Sequence, residues 1–335
     1  MLAGISLTCF AASYTVALLL EVTRVWFRSG VRGALMLTFA AAGLFAHTLF
    51  LTNRARETIG TPLSSEFDWY LLAAWALAAV YFVWTFGQLW SPNERRTPVG
   101  IFVLPLVLGL VAAAYFLGNR EPLDRAPALR AWIIIHLGLL TGGLVSVFVG
   151  FAAGVMDLVQ SSRLKRKILP GSGLRLPSLE WLERIGIRSI VASFIFSALG
   201  LLAGFLLNLV RGEFNWSDPV VWRLVGIVGW FAVASLFLLL YKPARQGRKV
   251  AYLAIASFVL VLVSISIGRV LPTKHGAPKK SARLTVPLHQ DGDSPSFEWG
   301  SVRVTEWGSS GLSSHSITPL LRHSRTSSNA PRGAA

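Results

Sequence analysis

The sequence predicts an all-α fold, a polytopic integral membrane protein built as a bundle of about eight transmembrane helices. Three observations lead there. Of 335 residues, 53% are hydrophobic and only 14% charged, and the mean hydropathy is +0.56, far from the balance of a soluble domain of this size. Apolar runs of bilayer-crossing length recur through residues 1–271; a hydrocarbon core of roughly 30 Å needs about 20 helical residues at ~1.5 Å each. The runs lack the period-2 alternation of barrel strands, so helices, which satisfy their backbone polar groups internally, are the structure that lipid permits.

The first run, residues 3–24, has no basic residue ahead of it and carries Arg24 and Arg28 behind it, so it reads as an uncleaved span rather than a secretory leader. The next three runs fall at 33–53, 69–90 and 98–118, separated by short polar links. The fifth, 130–158, is followed by the basic stretch Arg163, Lys165, Arg166 and Lys167. The last three are expected at 187–210, 220–241 and 250–271. Residues 272–335 are dominated by Ser, Gly, Pro and Arg and are expected to form a separate polar, disordered tail. Within it Glu298-Trp299-Gly300-Ser301 recurs as Glu306-Trp307-Gly308-Ser309, readable as a hairpin, a docking peptide or a chance repeat.

Orientation follows from Lys and Arg in the links, because positively charged loops stay cytoplasmic. One alternating set holds Arg28 and Arg32, Arg95 and Arg96, the 163–184 cluster, and Lys242, Arg245, Arg248 and Lys249. The other set is diluted by Glu57, Glu66, Glu121, Asp124, Glu213 and Asp218. Both termini are therefore expected on the outer side of a cytoplasmic, or inner, membrane. Most of the net charge of +16 is accounted for by cytoplasmic loops meeting anionic lipid headgroups in the bilayer, so no nucleic-acid partner is implied. The single cysteine, Cys9, excludes a disulfide framework, a CxxC redox pair and a thiolate metal site.

Polar residues at membrane depth are costly and so informative. Of six histidines only His47 and His136 fall within spans. Each lies about six residues, ~9 Å, below the outer end of its span. Two neutral imidazoles at matching depth can ligate a haem iron; the alternative is that each hydrogen-bonds a neighbouring helix. Glu21 with Arg24, and Asp157 beside the basic loop, read as interfacial ion pairs. Gly150 with Gly154, and Gly200 with Gly204, are GxxxG spacings that let helices approach closely. The link Phe214-Asn215-Trp216-Ser217-Asp218-Pro219-Val220-Val221-Trp222 faces outward by the charge count; its tryptophans suit an aromatic belt or a platform for a flat ligand. No HExxH or other catalytic metal motif is present, so no catalytic residue is assigned.

Four segments in order carry a resemblance: Ala46-His47-Thr48-Leu49 followed by Arg54; Gly100-Ile101-Phe102-Val103-Leu104-Pro105-Leu106; Trp132-Ile133-Ile134-Ile135-His136 leading to Gln160 and Leu164-Lys165-Arg166-Lys167; and Leu179-Glu180-Trp181-Leu182-Glu183-Arg184. Gly247-Arg248-Lys249-Val250-Ala251 extends it. The chain resembles the cytochrome c assembly family, which includes the cytochrome c biogenesis protein CcsA and the HemX proteins. The resemblance covers residues 33–271 and lies in the order of the segments. It implies haem as cofactor, held at the outer face by a tryptophan-rich loop with histidines as iron ligands, for attachment to apocytochrome c. Carried over, Trp216, Asp218 and Trp222 occupy the loop, and His47 and His136 the ligand positions. It also implies a membrane partner with a large external domain, the chain being a subunit of a cytochrome c synthase system rather than an independent enzyme.

Two features depart from the family pattern. Ser217 separates Trp216 from Asp218, with Val220 and Val221 following, and Leu239-Leu240-Tyr241 stands where a synthase carries a histidine. They keep a second reading open, a HemX-like regulatory or scaffolding membrane protein without haem transfer. A transporter is disfavoured because no Gly/Pro-broken helix pair with intramembrane charges recurs in the two halves.

Overall fold

The computed structural model describes residues 6–23, 30–57, 63–90, 97–121, 130–167, 176–211, 219–241 and 248–270. These form eight α-helices: α1 Leu7–Thr23, α2 Gly30–Glu57, α3 Glu66–Trp90, α4 Gly100–Leu117, α5 Arg130–Lys165, α6 Leu179–Arg211, α7 Pro219–Leu240 and α8 Arg248–Val270. No strand occurs among the described residues. Seven of the helices are long and apolar enough to cross a membrane, while α1, at 17 residues, is apolar but shorter. The all-α, multi-pass architecture is as the sequence predicts. The tail at 272–335 lies outside the described residues.

Helix ends differ most from expectation at α5 and α6. α5 runs on to Lys165 and α6 starts at Leu179, so each continues about two turns beyond its apolar span. The added residues include Leu, Gln, Lys, Arg and Glu, good helix formers once an apolar helix has nucleated them. An Arg184 to Glu180 ion pair of 2.8 Å at i, i+4 supports the start of α6. α5 stops where Lys167 takes a positive φ of 53° and its N–H turns back to the Leu164 carbonyl at 3.1 Å.

Packing arranges the helices as two groups joined by α5. The larger core cluster holds Phe10, Tyr14, Leu71, Leu77, Tyr81, Leu104 and Val107 from α1, α3 and α4, with Phe148 and Met156 of α5 against them. A second cluster joins Val147 of α5, Ile190 of α6, Phe231 and Leu238 of α7, and Val250 and Val261 of α8. Large apolar side chains such as Phe45, Val83, Phe116 and Val233 point outward. That pattern is destabilising in water and expected in lipid, where no hydrophobic force drives them inside. α7 is the least covered of the candidate spans.

The odd-numbered helices begin at one end of the bundle, the upper end, and polar clamps secure both ends. At the upper end Arg54, ending α2, forms an ion pair with Asp68 of α3 and donates to the Arg120 carbonyl beyond α4 at 3.4 Å. Asp68 in turn accepts from the Ser65 hydroxyl at 2.6 Å, closing a cap over the first turn of α3. At the lower end Glu21 of α1 is buried and accepts the Gly100 N–H of α4 at 3.3 Å. Glu21 thus sits at a helix N-terminus, where a carboxylate is favoured, inside the bundle instead of at its rim. Arg24 lies outside the described residues.

Candidate functional site

His47 lies on the face of α2 that meets α1. One turn earlier, Gly43 supplies the room: a Cβ there would stand 2.9 Å from Cε1 of Tyr14, so only glycine lets the tyrosine ring lie flat against α2. Phe10, one turn before Tyr14, stacks on the imidazole with centroids 4.1 Å apart and planes within 3°. The Tyr14 hydroxyl lies 3.4 Å from His47 Nδ1. His47 is 0% exposed, and its Nε2 has no hydrogen-bond partner. One ring nitrogen is held and the other is left bare, an arrangement that costs a structural histidine about 1–3 kcal/mol and that a ligating histidine requires. Next to it, Thr48 accepts the Trp75 indole N–H of α3 at 2.8 Å, fixing α2 against α3.

His136 sits in the second turn of α5 and is held from α6. Its Nδ1 is 2.7 Å from the Gly200 carbonyl. A carbonyl only accepts, so Nδ1 carries the proton, and in the neutral tautomer the lone pair is on Nε2. The ring fits because Gly204 has no side chain; a Cβ there would be 2.7 Å from Cε1 of His136. Gly200 likewise makes room for Leu140. The Gly200/Gly204 spacing is therefore the seat of a histidine as well as a close helix crossing. Of the other GxxxG pair, Gly150 faces Ser189 of α6 and Gly154 faces Ala251 of α8.

The two imidazoles thus belong to different helix pairs, α1–α2 and α5–α6, both at the upper end. A residue that sequence reasoning missed is Trp69, which lies near the start of α3 and packs against Ile133 and Leu137 of α5 and Leu207 of α6. Its indole Nε1 is buried without a hydrogen-bond partner. Only the residue type and its place in the first turn of a span hinted at it. Trp222 is in the first turn of α7 and 60% exposed. Trp216 and Asp218 lie outside the described residues, and so does the rest of their loop. At the lower end Asp157 is buried, with Glu183 and Arg248 as its charged neighbours. Arg248 also donates to the Ser161 hydroxyl at 2.5 Å. No group of three or more His, Cys, Asp or Glu able to hold a metal ion occurs among the described residues.

Apolar helices around a buried histidine, His47, and a half-buried one, His136, at one end define a multi-pass membrane protein with potential nitrogen ligands inside the bundle. The profile of the family described as "Cytochrome C assembly protein" matches residues 63–272, and the chain belongs to that family. The "Cytochrome c biogenesis protein CcsA" of Prochlorococcus marinus (strain MIT 9303) is similar at 25% identity over 287 residues, covering 75% of this chain and 86% of that protein. The protein of the same name from Parasynechococcus marenigrum is 26% identical over 261 residues, covering 69% and 81%. That of Gloeobacter violaceus is 24% identical over 282 residues, covering 67% and 80%. No solved structure matches the chain.

Proposed function

We propose that this chain handles haem for cytochrome c assembly, presenting it at the outer face of the cytoplasmic membrane for attachment to apocytochrome c. His47 and His136 serve as iron ligands, and Trp216, Asp218 and Trp222 form the platform above them. The observation that carries this reading is His47: a fully buried imidazole with Nδ1 against Tyr14 and Nε2 without a partner. Its donor chemistry fits haem, which binds neutral imidazole nitrogen. Haem, when bound, supplies the porphyrin that becomes joined to two apocytochrome thiols. The chain's own residues position it and keep its iron ligated, which the reaction needs more than a protein acid or base. His136 contributes through its tautomer, because the Gly200 carbonyl holds the proton on Nδ1. A membrane partner with a large external domain completes the system, and both termini lie outside.

A second reading, a HemX-like regulatory or scaffolding protein without haem transfer, is favoured by one observation: Phe10 and Tyr14 enclose His47 completely, at 0% exposure. The absorption spectrum of protein purified from haem-supplied membranes separates the two. Haem handling gives a Soret band in the wild type that is lost in the His47→Ala, His136→Ala double variant. A wild type that is folded and free of haem supports the scaffold.

A further inference from the structure

The groove between α7 and α8 belongs to neither histidine site. It encloses about 500 Å³ and runs from Pro219 to Val233 along α7, against Leu260 to Ile267 of α8. At ~1.5 Å per residue that is ~21 Å of α7, the scale of a fatty acyl chain. Its width comes from Gly226 and Gly229, where an added Cβ would meet nothing within 4 Å. Its floor is fixed by Trp230, whose indole N–H donates to the Ser257 hydroxyl at 2.9 Å.

Two polar groups interrupt this apolar lining, and both lack partners. Arg223 is half-buried and has no hydrogen bond or ion pair among the described residues. Its guanidinium lies over Gly268 of α8, where a Cβ would overlap it. Ser264, also lining the groove, is 8% exposed, and its hydroxyl has no partner. A cation within a span and a buried bare hydroxyl are both costly in lipid, and a ligand bearing an anion and an acceptor oxygen removes both costs. The depths are ordered. Arg223 is four residues, ~6 Å, from the start of α7, whereas Ser264 is six residues, ~9 Å, from the end of α8.

We propose that this groove binds one anionic phospholipid of the phosphatidylglycerol type. The phosphate pairs with Arg223, a glycerol ester carbonyl accepts from the Ser264 hydroxyl below it, and an acyl chain lies along Gly226, Gly229 and Trp230. The order of depths matches the order of these groups in a phospholipid. The choice of an anionic headgroup follows from the lining, which contains Arg223 and no Asp or Glu, so a choline or ethanolamine cation finds no counter-charge. An apolar helix from a partner chain would fill the groove but leave the guanidinium unpaired.

The test is native mass spectrometry of full-length protein, delipidated in detergent and titrated separately with phosphatidylglycerol and phosphatidylcholine. The wild type retains one phosphatidylglycerol in preference to phosphatidylcholine. Arg223→Gln weakens that binding about tenfold, as expected for a lost charge-assisted hydrogen bond. Ser264→Ala weakens it severalfold, and Gly229→Leu, which fills the groove, abolishes it. Ser264→Ala and Gly229→Leu keep the test valid if Arg223→Gln does not fold. Equal retention of both lipids, binding unchanged in Ser264→Ala and Gly229→Leu, no retained lipid, or a second copy of the chain occupying the α7–α8 face overturns the proposal.

Discussion

Replacing His47 and Tyr14 together by phenylalanine separates a ligand from a structural histidine. The single His47→Phe change would strand the Tyr14 hydroxyl, which is buried at 1% exposure and among the described residues pairs with His47 alone. The double change removes both polar partners and leaves two rings of similar shape against Phe10. The Tyr14 to His47 contact is long, at 3.4 Å, and is worth about 0.5–1 kcal/mol. Against that loss stands relief of the bare Nε2, about 1–3 kcal/mol. The double variant is therefore expected to be as stable as the wild type or up to about 2.5 kcal/mol more stable, while its bound haem is lost. Thermal unfolding in detergent reads the first quantity and Soret absorbance per folded protein the second. A variant destabilised by more than about 2 kcal/mol would show that His47 has a structural polar role. A stable variant with an undiminished Soret band would remove His47 from the ligand set.

The remaining predictions concern the seat of His136, the upper clamp and the topology. Gly204→Ala drives a methyl group into the His136 ring and breaks its bond to Gly200, costing about 1–3 kcal/mol and part of the Soret band. Gly109→Ala, where an added Cβ meets nothing within 4 Å, is neutral or stabilising by up to about 1 kcal/mol; equal effects of the two in thermal unfolding would contradict the seat. Arg54→Gln leaves Asp68, 1% exposed, without its cation and is expected to cost about 2–4 kcal/mol, less than a fully buried pair because Arg54 is 27% exposed. A loss under 0.5 kcal/mol would mean that the clamp does not hold α2 to α3. Alkaline phosphatase fused after residue 335 is expected to be active, as an outward terminus requires, and an inactive fusion with an active one in the 91–96 link reverses the orientation.

Much of the fold was legible because membrane crossing imposes length and hydropathy together, so each span showed itself without its neighbours. The two helix extensions were not, because residues such as Arg163 and Glu180 read as loop charge until an apolar helix continues through them. Glu21 reads as an interfacial partner of Arg24, and only the approach of α4 shows that its carboxylate caps the helix starting at Gly100. The candidate site was legible as depth but not as contact. His47 and His136 stood out as intramembrane histidines, and their distance from the span ends followed from helical rise. What surrounds them did not, because helices apolar on every side carry no periodicity that says which face meets which neighbour. The enclosure of His47 by Phe10 and Tyr14 depends on how α1 meets α2. Gly200 and Gly204 were visible as a spacing, but their occupant came from α5. Trp69 looked like any interfacial tryptophan until α5 and α6 closed over it.

The most direct test of haem presentation is covalent cytochrome c formation in a host lacking this chain, with an apocytochrome supplied and haem-stained product measured at equal membrane abundance of each variant. Wild type is expected to restore covalent haem, and the His47→Ala, His136→Ala double variant to restore little or none; equal product from both, or none from the wild type with its membrane partner present, would contradict it.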